Sequence, residues 1–272
     1  MRLAGAHAVV TGGGTGIGAA IARALAAEGA KLTLIGRRRE KLEEVAQSIR
    51  LSRAQSDAAG GVEGPGADEG VEVCAADVTD RAEAERAFAA ARAANGPITI
   101  LVNNAGAVEN APFARVTEDS WRAMMAVNLD ALFHCCQAAF DDIVAAPAGR
   151  IVTIASTAGL RGYKYSAAYV AAKHGAVGLM RALALELAET NATANAVCPG
   201  FTDTDIIADA VAAIGAKTGR DEETVRARFA SFNPQGRLVT PQEVADAALF
   251  LCLPGSQSIT GQALAVAGGE VM

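Results

Sequence analysis

Ser156, Tyr169 and Lys173 bring a hydroxyl, a phenol and an ammonium into one stretch of the sequence. Tyr169 and Lys173 are four residues apart, so on a helix their side chains share one face. An isolated tyrosine titrates at about pH 10, and a neighbouring ammonium lowers that pKa because it stabilises the phenolate. Such a phenol exchanges a proton with an alcohol or carbonyl oxygen. The three residues together predict acid–base catalysis, although each one alone also fits an ordinary structural role.

A glycine-rich loop precedes this stretch in the chain. Residues 11–18 read TGGGTGIG, after a predicted strand and before a predicted helix. Glycines allow a tight turn and let main-chain N–H groups approach a pyrophosphate. A P-loop is excluded because no Gly-Lys-Ser/Thr sequence follows. The loop indicates dinucleotide binding, with an ordinary βα turn or a methyltransferase loop as the alternatives.

The elements that must position these residues alternate between short β-branched strands and longer alanine-rich helices. The predicted strands are 6–11, 31–36, 71–76, 98–103, 150–155, 193–198 and 262–267. The predicted helices are 17–28, 38–50, 80–94, 117–145, 165–189 and 241–252. This alternation predicts a single α/β domain over residues 1–272, with a doubly wound parallel sheet of about seven strands and helices on both faces.

Two segments interrupt the alternation. Residues 52–70 are rich in glycine, alanine and acidic residues, and we interpret them as a mobile surface insertion without a function. Residues 201–236 are long for a connection and contain a helical stretch near 221–231. They follow the strand 193–198, and ligands bind at the carboxyl ends of strands in such sheets. This segment is therefore the candidate substrate lid.

The order of the motifs resembles the short-chain dehydrogenase/reductase family. The glycine loop has that family's Thr-Gly-x-x-x-Gly-x-Gly spacing rather than G-x-G-x-x-G. The other matching motifs are Asn103-Asn104-Ala105-Gly106, Asn128, Ser156, Tyr169-x-x-x-Lys173 and Pro199-Gly200. The resemblance runs from residue 3 to the C-terminus, and it implies a Rossmann-type fold.

The resemblance also implies a role for each catalytic residue. Tyr169 would be the general acid/base, and Ser156 would orient the substrate oxygen. Lys173 would bind the ribose hydroxyls and lower the pKa of Tyr169. Asn128 would hold a water that links Lys173 to solvent. The expected reaction is hydride transfer between a nicotinamide cofactor and a carbonyl or secondary alcohol carbon, with Tyr169 exchanging the proton.

The residues after the second predicted strand bear on the choice of cofactor. An acidic residue there binds the ribose of NAD, whereas an arginine accommodates the phosphate of NADP. The sequence reads Gly36-Arg37-Arg38-Arg39, which favours NADP(H) over NAD(H), unless the arginines merely begin a solvated helix. The resemblance adds an adenine pair at Asp77-Val78 and a nicotinamide contact at Thr204. The full expected cofactor site is Gly12, Thr15, Gly16, Ile17, Gly18, Arg37, Arg38, Asp77, Val78, Asn104, Ala105, Gly106, Tyr169, Lys173, Pro199, Gly200, Thr202 and Thr204.

The substrate is less clearly marked. The candidate substrate residues are Ser156, Leu160, Tyr163, Phe201, Ile206 and Ile207, and they suggest a partly apolar ligand. Four basic residues are expected at the entrance of the substrate cleft: Arg161, Lys164, Lys217 and Arg220. They would bind the phosphate of a thioester substrate, or they are ordinary solvated charges. Residues 259–269 resemble the 3-oxoacyl carrier-protein reductases and hydroxyacyl-CoA dehydrogenases, which favours 3-oxoacyl thioesters of CoA or acyl carrier protein. The alternatives are an NAD-dependent dehydrogenase of small or aromatic secondary alcohols and a non-catalytic nucleotide-binding sensor.

Composition excludes several other classes of protein. The 272 residues are 51% hydrophobic with a net charge of −6, which excludes general disorder. A pI near 5.2 argues against a nucleic-acid partner. The five cysteines and three histidines lack metal-ligand spacing, and no run approaches the roughly 18 apolar residues of a membrane span. We therefore expect no metal and no membrane association, with free thiols in a reducing cytoplasm and, from the resemblance, a homotetramer.

Overall fold

The computed structural model describes residues 1–58 and 70–272 of the chain. Within these residues, parallel pairing joins seven strands into one sheet of order β3-β2-β1-β4-β5-β6-β7. The strands are β1 His7–Thr11, β2 Lys31–Gly36, β3 Val71–Ala75, β4 Ile100–Asn103, β5 Arg150–Ile154, β6 Thr193–Pro199 and β7 Ala263–Val266. The predicted doubly wound parallel sheet is confirmed, and its strand order reverses between β1 and β4.

Helices cover both faces of the sheet. The described helices are α1 Gly16–Ala27, α2 Arg39–Ala58, α3 Arg81–Asn95, α4 Glu118–Met125, α5 Ala131–Ala145, α6 Ala167–Glu186, α7 Asp205–Thr218, α8 Glu222–Ala230 and α9 Pro241–Cys252. Successive residues of β1 face opposite sides: Val10 packs with α1, α2 and α9, and Val9 packs with α3, α5 and α6. The fold thus has two apolar cores, one on each side of the sheet.

The helix predicted over 117–145 is interrupted in the structure. A π-helical turn, Ala126–Asp130, separates α4 from α5. Within it, Asn128 donates from Nδ2 to the carbonyl oxygen of Met124 at 3.1 Å. Single π-turns inside helices are frequent at functional sites, and this one positions a buried carboxamide.

Helix α2 extends further than the sequence predicted. Its predicted end was about residue 50, whereas the observed helix ends at Ala58. Arg50 donates to the carbonyl oxygen of Val71 and Arg53 to that of Ala30, both at 2.7 Å. These contacts hold the last turns of α2 against the strands. Residues 52–58 therefore belong to α2. Of the rest of the predicted insertion, Gly70 directly precedes β3, and residues 59–69 lie outside the described residues.

Residues 201–236 form α7, which the sequence did not predict, and α8, which matches the predicted helical stretch. Thr202 pairs in parallel with Val239 at the base of the segment. A small separate core joins the two helices; it consists of Ile207, Val211, Val225 and Leu238. No helix in the described part of the chain is long and apolar enough to cross a membrane.

Candidate active site

The glycine loop has a backbone that only glycine accommodates. Gly12 and Gly16 have φ angles of +65° and +50°, in the left-handed region that disfavours other residues. A Cβ atom on Gly18 would lie 2.3 Å from the carbonyl oxygen of Gly12 and 2.4 Å from Nδ2 of Asn104. The loop therefore turns tightly at the carboxyl end of β1 and brings its main chain to the N-terminus of α1.

Thr11 and Asn104 lock this loop to β4. The Oγ1 atom of Thr11 accepts hydrogen bonds from the N–H groups of Asn104 and Ala105, at 3.0 and 3.1 Å. The Asn104 side chain donates to the carbonyl oxygens of Thr11 and Gly12, at 3.0 and 3.1 Å. The side chain of Asn104, predicted as a cofactor contact, is thus used to fix the loop at the point where the strand order reverses.

Two arginines project beyond the end of β2. Arg37 and Arg38 are exposed and form no ion pair in the described part of the chain, whereas Arg39 pairs with Glu43 at 3.4 Å. Across the cleft, burial raises the pKa of Asp77, but hydrogen bonds from Thr79 and the charge of Arg37 outweigh it, so the net pKa is lowered. Arg37 therefore lies within electrostatic range of Asp77, and their place in one nucleotide subsite stays a prediction.

Tyr169, Lys173 and Ser156 meet at the carboxyl ends of β5 and β6. The two α6 residues share a face, with Nζ of Lys173 lying 5.7 Å from the centre of the Tyr169 ring. Ser156 caps a short 3-10 turn, Thr157–Gly159, where its Oγ accepts the N–H of Ala158 at 3.1 Å. The Ser156 hydroxyl lies near enough to the Tyr169 phenol to lower its pKa. The structure therefore brings together the three residues that the sequence singled out.

Lys173 is not among the groups that shift the pKa of Tyr169 in this structure, so the predicted lowering by Lys173 stays a prediction. Burial raises the pKa of the phenol, the nearby Ser156 hydroxyl partly offsets this, and Cys198 raises it further. Burial lowers the pKa of Lys173 to about 8, and its ammonium donates to the carbonyl oxygen of Ile154 at 3.0 Å. Desolvation dominates the pKa of Lys173, whose ammonium is directed to a main-chain oxygen rather than to the phenol.

Asn128 is buried beside Lys173. Its Nδ2 donates to the carbonyl oxygen of Ala107 at 2.9 Å, and its Oδ1 accepts the N–H of Ala107 at 3.4 Å. A Cβ atom on Gly106 would lie 3.0 Å from that Oδ1 and 3.6 Å from Nζ of Lys173. Asn128 and Lys173 also line one cavity of about 10 Å³, which is about the volume that one water requires.

The loop after β6 returns to the glycine loop. A Cβ atom on Gly16 would lie 3.2 Å from Cγ2 of Thr204, so Thr204 faces the expected cofactor site. Thr202 is instead buried, and its hydroxyl donates to the carbonyl oxygen of Gly200 at 3.0 Å. Among the remaining predicted cofactor residues, three are partly exposed: Thr15, Ile17 and Ala105. Two are buried: Val78 and Pro199.

The predicted substrate residues separate into two groups. The ring of Tyr163 packs edge-on against Phe201, which in turn contacts Phe229 and Phe232, while Ile206 is half exposed. Ile207 lies in the small core of residues 201–236, and Leu160 lines a groove beside β7. Phe201 and Phe229 pack against that core, so Ile207 supports the aromatic group from the interior, whereas Leu160 lies apart from it.

The candidate phosphate ligands Arg161, Lys164, Lys217 and Arg220 are all exposed. The sequence reasoning missed Glu270. Its carboxylate accepts a hydrogen bond from the Tyr163 hydroxyl. The available signal was an acidic residue directly after two glycines near the end of an otherwise apolar strand region. No cluster of three or more metal-ligating side chains occurs among the residues that the structure describes.

Comparison with known proteins agrees with this geometry. Residues 6–214 match the family model of the short chain dehydrogenases. The chain is 35% identical to D-beta-hydroxybutyrate dehydrogenase of Cupriavidus necator, over 99% of each protein. It is 32% identical to the 3-oxoacyl-[acyl-carrier-protein] reductase of Chlamydia trachomatis, over 96% of each.

A solved structure extends the likeness to three dimensions. A variant of actinorhodin polyketide ketoreductase, crystallised with NADPH, superposes with a TM-score of 0.87 at 34% identity, covering 97% of both chains. The likeness therefore includes the whole sheet and the helices on both its faces. The chain belongs to the short-chain dehydrogenase family and is an NAD(P)-dependent oxidoreductase that interconverts a carbonyl and an alcohol.

Proposed function

We propose that this enzyme reduces 3-oxoacyl thioesters with NADPH. The observation that carries the proposal is the placement of Ser156 and Lys173 around the Tyr169 phenol at the carboxyl edge of the sheet. A carbonyl oxygen placed there meets a hydroxyl that holds it and a phenol that protonates it. When bound, NADPH supplies the hydride that the carbonyl carbon receives.

The residues present fit a dinucleotide. Gly12, Gly16 and Gly18 leave space that side chains would fill, so main-chain N–H groups at the start of α1 can bind a pyrophosphate. Arg37 and Arg38 offer two exposed cations that form no ion pair among the described residues, which supports a preference for the additional phosphate of NADP(H).

The proton balance follows from the arrangement of the side chains. Tyr169 gives its phenolic proton to the substrate oxygen as the carbon accepts hydride, and the phenolate is then reprotonated. Lys173 lies beside Tyr169 and shares the small cavity with Asn128. A water in that cavity would return a proton through Lys173, and binding of the ribose hydroxyls by Lys173 would orient the cofactor.

The substrate class is supported by the aromatic side of the cleft and by the relatives. We propose residues 201–236 as the substrate lid. An apolar wall lines it and consists of Phe201, Phe229 and Phe232, with Tyr163 packed against Phe201. A relative that is 32% identical is named as a 3-oxoacyl-[acyl-carrier-protein] reductase. An acyl chain would pack on this wall while the 3-oxo group meets Ser156 and Tyr169.

Steady-state kinetics test the proposal directly. We expect oxidation of NADPH in the presence of acetoacetyl-CoA, with a higher kcat/KM for NADPH than for NADH. A panel of simple ketones, cyclic diketones and sugars serves as the comparison. Absence of turnover with acetoacetyl-CoA would overturn the thioester proposal, and absence of turnover with either cofactor across the whole panel would overturn the carbonyl-reductase role as well.

A second candidate is an NAD-dependent dehydrogenase of a small secondary alcohol. It is favoured by the 35% identity to D-beta-hydroxybutyrate dehydrogenase over 99% of each protein. Faster reduction of NAD⁺ with 3-hydroxybutyrate than oxidation of NADPH with acetoacetyl-CoA would favour it. A non-catalytic sensor is disfavoured because Ser156, Tyr169 and Lys173 are all present and adjacent.

A homotetramer in the cytoplasm is part of the same proposal. Apolar side chains are exposed on the outer helices, including Phe133 at 42% on α5 and Leu185 at 80% on α6. Burial of such side chains between subunits is favourable, and five free cysteines suit a reducing compartment. Light scattering after gel filtration should give about four times the chain mass, and a monomeric mass would contradict the assembly.

A further inference from the structure

Residues 268–270 lie between the lid and the loop that follows Ser156, and we call them the C-terminal clasp. On the lid side, a Cβ atom on Gly268 would lie 2.0 Å from Oδ1 of Asn233, and one on Gly269 would lie 3.6 Å from Cγ of Pro234. Both glycines have positive φ angles, +58° and +93°. The clasp therefore lies directly against Asn233 and Pro234 of the lid, in a backbone conformation that favours glycine.

On the catalytic side, Glu270 makes three contacts. Its carboxylate accepts a hydrogen bond from the Tyr163 hydroxyl, and its carbonyl oxygen accepts one from Nη1 of Arg161 at 3.4 Å. Its Oε2 lies against Gly200, where an added Cβ atom would approach it to 2.8 Å. One side chain near the end of the chain thus joins the Ser156 loop to the loop after β6.

The contacts continue from Glu270 to Ser156. The Tyr163 oxygen lies 2.7 Å from Oγ1 of Thr157, the residue that follows Ser156. A phenol has one proton and a carboxylate only accepts, so Tyr163 donates to Glu270 while the Thr157 hydroxyl donates to Tyr163. Burial and the Glu270 carboxylate accordingly raise the pKa of Tyr163, and the Thr157 bond opposes that rise. The sequence of bonds ends at the 3-10 turn that Ser156 caps.

Stability alone does not account for a carboxylate at this place. Oε2 of Glu270 and Nδ2 of Asn233 are buried without hydrogen-bond partners in the described part of the chain. A buried polar atom without a partner costs free energy that an apolar side chain would avoid. Such a cost is expected where a residue serves function rather than stability.

We propose that Glu270 is a positioning residue that, through Tyr163 and Thr157, holds Ser156 in place for the substrate oxygen. The inference rests on the proposed role of Ser156. Displacement of a catalytic group by about 1 Å can reduce a rate by about 100-fold. Loss of the Glu270 carboxylate should therefore lower kcat without a comparable change in cofactor affinity.

The test compares E270A, E270Q, Y163F and the double variant Y163F/E270A with the wild type. With the substrate that the wild type turns over, we expect E270A to lower kcat about tenfold, with KM and the NADPH dissociation constant changed less than about twofold. E270Q keeps an oxygen that accepts the Tyr163 proton, so it should recover most of kcat. The double variant should be no slower than E270A because both changes break the same sequence of bonds.

The control separates positioning from a general loss of stability. I49V removes one methyl from a buried residue of α2 that is not among the residues assigned to the site, and it should lower Tm while leaving kcat unchanged. The role of Glu270 is overturned if E270A keeps wild-type kcat, if the two single losses multiply in the double variant, or if only KM changes. Absence of turnover by the wild type would instead overturn the proposed function, and the positioning role with it.

Discussion

On the glycine-loop side of the cleft, residues 11–18 and 104–106, side chains bind main-chain atoms. On the lid side, residues 157–163, 201–236 and 268–270, side chains bind one another. On the first side, Thr11 and Asn104 bind backbone atoms across β1 and β4. On the second, Tyr163 bridges Thr157 and Glu270. A cofactor shared by a whole family suits a fixed backbone, and a variable substrate suits contacts that single substitutions can alter.

The largest effect is expected where the two sides meet, at Tyr169. Y169F removes the proton donor and should lower kcat by at least about 100-fold, the lower end of what general acid–base catalysis contributes. NADPH binding, measured by fluorescence titration, should stay within a few-fold of the wild type. A fully active Y169F would show that another group protonates the substrate.

Next in size is a change of the main chain on the glycine-loop side. In G18A, the new methyl would lie 2.3 Å from the Gly12 carbonyl oxygen, so the backbone must shift. We expect NADPH affinity to fall at least about tenfold and the unfolding free energy to drop by about 1–3 kcal/mol. Titration and urea unfolding measure the two quantities.

G178A is the matched control for G18A. Gly178 lies in α6, and an added Cβ atom there meets nothing within 4 Å. Alanine is the better helix former, so this variant should be as stable as the wild type or more so. Equal behaviour of the two variants would contradict a backbone-fixed loop.

A smaller effect is expected at the end of β2, where side chains rather than the main chain choose the cofactor. R37A/R38A should lower the preference for NADPH over NADH by about 10- to 100-fold, because a hydrogen bond to a charged group is worth about 1.5–3 kcal/mol. G36D should act in the same direction, since a Cβ atom at Gly36 meets only ordinary contacts of 3.5 Å or more.

R39A is the control for the arginine pair. Arg39 is bonded to Glu43 on the surface of α2 and should not alter cofactor choice. The ratio of kcat/KM for NADPH to that for NADH is the measurement in each variant. An unchanged ratio in R37A/R38A would remove the argument that these arginines select the cofactor.

The same contrast explains how far the sequence alone could predict the structure. The strands, α1 and the pair Tyr169–Lys173 follow from local spacing, because glycine and hydrophobic patterns act over a few residues. The raised pKa of Tyr169 depends on burial by distant elements. Helix α7 does carry a local pattern that the sequence prediction missed, since its buried residues Ile207, Val211 and Gly215 recur every four residues. The contact of Glu270 with Tyr163 joins positions more than a hundred residues apart. Only folding brings such pairs together.

The smallest effect concerns pH and lies at the amino end of β1. Burial lowers the pKa of His7 despite the hydrogen bonds to Gly96 and Pro97 carbonyls. The neutral ring lies 2.8 Å from the Gly96 oxygen and 2.9 Å from Oγ1 of Thr33, so Nδ1 donates and Nε2 accepts.

Because the unfolded chain binds a proton on His7 more readily than the folded one, protonation favours unfolding. This contribution to stability is present above the unfolded pKa of about 6.5 and is lost as pH falls from there toward the lowered folded value. The urea midpoint should therefore decline between pH 7.5 and 5.5, and less so in H7Q, which cannot titrate. An equal decline of the urea midpoint in both proteins would show that groups other than His7 cause the decline. Protonation of His7 would then not affect the stability of the sheet.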